Sequence, residues 1–312
     1  MSPDHTQRTS GSSGQVAAGH DATVSSGRHK ALDIVLVHGG WHCGESWGPV
    51  IPLLRSGGHR VVTVQLPGHG VSARFPSGYF TADQAGLMTA PATLGEITVA
   101  AAANVVLEAL RAVRAASSDR APVVLVAHSS AGSVASRAAE TAPDLVDHLV
   151  YLAAIVPSRR SSAIEYAALP EYGSQTMDGL VIGDPAAVGA LRINPRSADP
   201  AYRDLLRRKF YHDMPAHEAD AFLNLLIPDQ PLSYLAEPVT VTSARWGTIP
   251  RTYIVTTQDH ALAPAVQDIM IADADDLHPE NRFRRVPIDT GHAPFASRPD
   301  LLAKVLTDIT FR

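Results

Sequence analysis

A serine, a histidine and an aspartate, each just past the end of a different apolar run, carry the chemistry that this chain's residue spacing suggests. Ser129 stands in Val123-Val-Leu-Val-Ala-His-Ser-Ser-Ala-Gly132, where a strand-like run stops and an alanine-rich helix begins. A chain that turns from strand to helix around one residue strains that residue and leaves room only for small neighbours two before and two after. Ala127 and Ala131 are those neighbours, with Gly132 next, so the string reads small-x-Ser-x-small. The turn lifts the hydroxyl above the sheet and aims the free N–H groups of the new helix at whatever the serine attacks. A hydroxyl is a poor nucleophile at neutral pH and needs a base to take its proton. Val286-Pro-Ile-Asp-Thr-Gly-His-Ala-Pro294 places His292 in a glycine-containing loop after a strand, and that histidine is the candidate base. Arg251-Thr-Tyr-Ile-Val-Thr-Thr-Gln-Asp-His260 ends another strand at Asp259, the carboxylate that would fix the imidazole tautomer. Asp289, three residues before His292, is the rival for that role. Leu32-Asp-Ile-Val-Leu-Val-His-Gly-Gly-Trp41 ends in glycines, so the Gly40 and Ser130 N–H groups become the candidate oxyanion hole.

These positions can meet only if a sheet brings strand ends together. Runs at 34–37, 61–65, 123–127, 149–155, 252–256 and 283–288 read as strands. Helical stretches alternate with them, which predicts a mostly parallel sheet covered on both sides. In such a sheet the carboxyl ends of the strands lie along one edge, where residues far apart in sequence converge. Thr93-Leu-Gly-Glu96 reads as a capping box for a helix through Val99, Val106, Leu110 and Val113. A further helix is expected from Ser129, and Leu302, Val305, Leu306 and Ile309 form one face of a C-terminal one. Across 158–247 the alternation lapses into helix-period stripes, Tyr202, Leu205 and Leu206, then Phe222, Leu225 and Leu226. The expected organisation is a disordered tail over 1–29, a core over 30–157 and 248–312, and a helical lid over 158–247.

With its strand-end serine, aspartate and histidine in that order, the chain resembles the α/β-hydrolase superfamily over roughly residues 30–312. Within it, the chain is most similar to the branch of methyl-salicylate-type esterases and hydroxynitrile lyases. The strings that carry the likeness are Val37-His-Gly-Gly-Trp-His42, Gln65-Leu-Pro-Gly-His-Gly70, Ala127-His-Ser-Ser-Ala-Gly132, Thr256-Thr-Gln-Asp259 and Thr290-Gly-His-Ala293. The lyases of the branch use a Thr in the first oxyanion loop and a Lys after the catalytic His, where this chain has Gly40 and Ala293. The resemblance therefore implies a carboxylic-ester hydrolase with a Ser129, Asp259 and His292 triad, acting on a small or medium, largely apolar ester, a methyl ester or lactone included. A C–C lyase, a cyclase, a thioesterase and a ligand receptor on the same scaffold are the other functions that the resemblance leaves open. Trp41 and His128 are expected to line the substrate pocket, the other places being a buried aromatic after the first strand for Trp41 and packing beneath the serine turn for His128, and no cofactor is implied.

Composition narrows the field. The chain has 312 residues, 45% of them hydrophobic, enough for a large core. A net charge of −5, with no Lys/Arg-rich block, argues against nucleic-acid binding. No run approaches the ~20 apolar residues of a membrane span. One cysteine, Cys43, excludes an internal disulfide framework and suits a cytoplasmic protein, with a homodimer left open. His38, His42 and Cys43 have metal-binding side chains, but no second ligand pair follows, and no metal is expected.

Overall fold

A computed structural model describes residues 31–309 apart from 95, 96, 118, 119, 176 and 178. The tail expected over 1–29 and Glu96 of the expected capping box lie outside the described residues. Six parallel strands form the main sheet: β1 (Asp33–Val37), β2 (Arg60–Val64), β3 (Val123–His128), β4 (His148–Leu152), β7 (Arg251–Thr256) and β8 (Arg284–Ile288). Their order is β2-β1-β3-β4-β7-β8. The four inner strands are buried at every position, while the edge strands β2 and β8 carry exposed residues. That difference explains why the inner strands read as unbroken apolar runs: both their faces are covered.

The two faces are covered by different helices. Val35, Leu125 and Tyr253 share a core with α2 (Val99–Ala116), α3 (Ala131–Thr141) and α9 (Pro264–Leu277). Ile34, Val126 and Ile254 point the other way, toward α1 (Val50–Ser56) and α11 (Pro299–Thr307). Strand periodicity thus sorts neighbouring residues into two cores.

Two local expectations give way to tertiary packing. α2 begins at Val99, not at the Thr93 string, because Thr98 accepts the Ala101 N–H at 3.0 Å and Glu237 reaches in from the insertion to accept the Val99 N–H at 2.9 Å. β4 stops at Leu152 rather than running to residue 155. Ala153 adopts a left-handed φ of 43°, and the chain then turns so that the Ile155 N–H donates to the Ser129 carbonyl at 3.0 Å.

Between β4 and β7 lie α4 (Ala163–Ala167), α5 (Pro185–Val188), β5 (Ala190–Arg192), α6 (Pro200–Phe210), α7 (Ala216–Leu223), β6 (Asp229–Pro231) and α8 (Ser233–Ala236). This stretch is not wholly helical, because β5 and β6 pair antiparallel and Arg192 clamps Asp229 across them at 2.5 and 2.7 Å. Arg192 also donates to the carbonyls of Leu87 and Ala90, so its buried charge meets four acceptors.

Candidate active site

Strand register brings the loops of the site together. Val37 pairs with Ala127, so the glycines after β1 lie beside the serine after β3. Thr256 pairs with Ile288, which sets the loops carrying Asp259 and His292 side by side. Ser129 itself has a φ of 54°, a conformation that strains any residue with a Cβ. Its N–H donates to Leu152 O at 3.2 Å, and its carbonyl accepts from Gly132 and Ile155. The helix starts at Ala131, two residues later than Ser129. A Cβ on Gly132 would lie 2.0 Å from the Ile155 carbonyl oxygen, and one on Gly39 would lie 2.6 Å from Ser129 Cβ. Glycine at both positions is what lets the serine turn pack between its neighbours.

Three side chains form one line of hydrogen bonds. His292 Nε2 is 3.1 Å from Ser129 Oγ, and His292 Nδ1 is 2.8 Å from Asp259 Oδ2. Asp259 is fully buried, and its carboxylate accepts from the Ala261 and Leu262 N–H groups, Thr256 Oγ1 and Gln267 Nε2 as well as from His292. Such a set of donors satisfies the buried carboxylate and holds its orientation. Asp289 is exposed and meets Thr257 and Gln258 instead.

The glycine loop is shaped by histidines. His38 Nδ1–H donates to Gly39 O at 2.9 Å while its Nε2 accepts the Leu66 N–H at 3.1 Å. A trans peptide points its C=O and N–H in opposite directions, so holding Gly39 O on one side turns the Gly40 N–H to the other. His42 repeats the device: Nδ1–H donates to Gly40 O at 2.7 Å, and Nε2 accepts from Tyr211 Oη at 2.9 Å. Among the described residues neither the Gly40 nor the Ser130 N–H has an acceptor, and both residues line the cavity that holds Ser129 and His292. Burial drives the His38 pKa well below its ordinary value and that of His42 down to about 3, so both rings are neutral and can accept as well as donate. Hydrogen bonds engage both nitrogens of each of these rings, and no group of three or more His, Cys, Asp or Glu that could hold a metal occurs among the described residues. Cys43 is buried, with its thiol pKa pushed up to about 11 by burial.

The cavity has a volume of about 120 Å³. Ile155 and Leu262 form its wall on the sheet side, and Ala163, Met177, Phe210 and Leu235 close it from the 158–247 stretch. Trp41, at a φ of 58°, also lines it, with its indole N–H bonded to Leu191 O at 2.9 Å. His128 does not line it. That ring, expected in the substrate pocket, is fully buried beneath the serine turn, where Nε2 donates to the His292 carbonyl at 3.0 Å. His128 is the last residue of β3 and alternates with Ala127, so its ring falls on the face of the sheet that Val124 and Val126 share, which is the reason for the displacement. Gln230, Gln267 and Tyr211 are site residues that sequence reasoning missed. Gln230 and Tyr211 meet their partners across more than a hundred residues, so no local spacing marks them. Gln267 lies eight residues from Asp259, one turn into α9, and that proximity was the available signal.

The model of the alpha/beta hydrolase family matches residues 34–305. Putative methylesterase 11, chloroplastic, from Arabidopsis thaliana is 26% identical over 275 residues, which are 88% of this chain and 63% of that protein. Methylesterase 18 from the same plant is 25% identical, covering 87% of this chain and 94% of its own. Against the chloroplastic relatives the chain thus spans little more than half their length, 55% for putative methylesterase 13. Those names lend no support to a cytoplasmic location. No helix among the described residues is long and apolar enough to cross a membrane. Among solved structures, polyneuridine aldehyde esterase superposes with a TM-score of 0.66 at 21% identity, covering 89% of this chain and 99% of that one. A pyrethroid hydrolase from Sphingobium faniae superposes at 0.64 with 24% identity, over 89% and 96%. These likenesses establish the architecture, and with the family match over nearly the whole described chain they lead to one conclusion: the protein belongs to the alpha/beta hydrolase family, where its similarity is to the methylesterase-type branch.

Proposed function

We propose that this protein is a serine hydrolase that cleaves a small or medium, largely apolar carboxylic ester, a methyl ester or lactone included, through an acyl-serine. The observation that carries the reading is the unbroken line from Ser129 Oγ through His292 to the buried Asp259, ending in an apolar cavity. His292 Nε2 takes the Ser129 proton as Oγ attacks the ester carbon, and Asp259 stabilises the imidazolium that results. The carbonyl oxygen, now an oxyanion, receives the Gly40 and Ser130 N–H groups, each donor contributing about 3 kcal/mol to the transition state. His292 then returns its proton to the departing alkoxide. Water enters, gives a proton to the same nitrogen and releases the acid, restoring Ser129. The 158–247 stretch acts as a lid: it supplies much of the apolar wall and keeps bulk water off the oxyanion.

Hydrolysis of a chromogenic short-chain ester by the wild type and Ser129→Ala tests this. The variant should lose roughly 10³-fold or more in kcat, and a phosphonate probe should add its mass to the wild type alone. Equal rates, or labelling of both proteins, would remove Ser129 from the chemistry.

A further inference from the structure

The wall around Ser129 is mostly carbon, yet two of its polar side chains keep hydrogen-bonding capacity that the described residues leave unused. Gln230, on β6, is 1% exposed. Its Oε1 accepts the Trp41 N–H at 3.1 Å and lies 3.1 Å from His69 Nε2. A backbone N–H can only donate, so the amide is oriented with its oxygen toward Trp41 and its NH2 turned away. That NH2 has no partner among the described residues, and neither does the buried hydroxyl of Ser130. Both side chains border Gly40: a Cβ built there would lie 3.2 Å from the amide oxygen of Gln230 and 3.4 Å from Ser130 Oγ.

Buried donors without acceptors weaken a fold, and native interiors avoid them. Two of them beside the residues proposed to hold the acyl oxygen fit a ligand atom that fills them. That atom must accept, because an amide NH2 only donates. It must sit close to the ester carbonyl, because Ser130 directly follows the attacking residue. It must be uncharged, because the lining holds no Lys or Arg and an unpaired carboxylate is strongly disfavoured in such a cavity.

We infer that Gln230 Nε2 and Ser130 Oγ form a recognition subsite for a second, neutral oxygen, a hydroxyl, ether or keto oxygen on the α or β carbon of the substrate's acyl group. This rests on the serine-hydrolase reading and deepens it by naming the substrate class. Gln230 is then a specificity-determining residue, and the unspent donors select oxygenated acyl groups over plain alkyl ones.

The test compares 4-nitrophenyl methoxyacetate with 4-nitrophenyl butyrate, which differ by an ether oxygen in place of a methylene. The ratio of their kcat/KM values is divided by the ratio of their hydroxide hydrolysis rates, which removes intrinsic reactivity. Because the ratio is internal to each protein, partial loss of folded enzyme does not move it. In the wild type it should be roughly tenfold above the hydroxide value, the order that one or two hydrogen bonds can supply. Gln230→Met should bring it to about that of hydroxide, and Ser130→Ala should lower it. Gln230→Glu, which keeps an acceptor for the Trp41 N–H but loses the NH2, should behave as Gln230→Met does. A wild-type ratio equal to that of hydroxide overturns the proposal. So does a ratio unchanged in Gln230→Met, or an equal fall for both esters, which would make Gln230 an oxyanion donor. If instead neither ester is turned over in a Ser129-dependent way, it is the serine-hydrolase reading that fails.

Discussion

Asp259 and Asp289 illustrate how the same side chain is given different work by its surroundings. Asp259 is buried among N–H and O–H donors and touches His292, whereas Asp289 faces solvent. Replacing Asp259 by Asn leaves an oxygen for the Ala261 and Leu262 N–H groups but turns an NH2 toward His292 Nδ1, which disfavours the tautomer that leaves Nε2 free to accept the serine proton. Asp259→Asn should lower kcat by about 10⁴, while Asp289→Asn should stay within about threefold of wild type. Steady-state kinetics on one ester decides between them, and the reverse pattern would transfer the role to Asp289. Among single residues the glycines have an equally definite reason. Gly132 is held against the Ile155 carbonyl too closely for any side chain.

At the scale of elements, the stretch between β4 and β7 is tied to the site as well as covering it. Asp213, between α6 and α7, accepts the Gly291 N–H and the Ser297 hydroxyl, both at 2.7 Å, and so anchors the loop that ends at His292. Tyr211 from the same segment donates to His42, and Gln230 from β6 holds the Trp41 N–H. Four hydrogen bonds from one inserted segment thus fix both the His292 loop and the glycine loop. Asp213→Ala should lower kcat by roughly ten- to a hundredfold, since small displacements of a reacting group are costly. Asp213→Asn, which retains an acceptor oxygen, should recover most of it. Unchanged kcat in Asp213→Ala would show that the loop keeps its place without this anchor.

Across the whole molecule, neutral buried histidines make stability depend on pH. Burial is the leading cause that holds His38, His42, His69 and His128 below the ordinary imidazole value, with His42 at about 3. Unfolding exposes each ring and restores a pKa near ~6.5. Below that pH the unfolded chain binds protons that the folded one refuses, so stability falls as pH falls. Each ring contributes at most ~1.4 kcal/mol per pH unit. The contribution of His42 levels off only near pH 3. The urea midpoint should therefore hold steady above pH 7 and drop steeply from pH 6.5 to 4.5. A midpoint that stays level over that range would mean that the rings do not remain neutral in the folded state.

The amino-acid sequence by itself determined the alternation of strands and helices, the strained turn at Ser129 and the order of serine, aspartate and histidine along the chain. These are legible because apolar periodicity, small neighbours and strand ends are properties of adjacent residues. Local reading fell short where partners are distant. Thr98 and Glu237, not the Thr93 string, cap α2, and β5 and β6 pair within a stretch that read as helical. His128 turned away from the cavity because it alternates with Ala127 at the end of β3. Only the tertiary structure decided which carboxylate meets His292, which way the Gly40 N–H points and that Gln230 stands beside it. Those outcomes depend on strand register and on hydrogen bonds between loops far apart in sequence, where each donor takes the acceptor that packing leaves within reach.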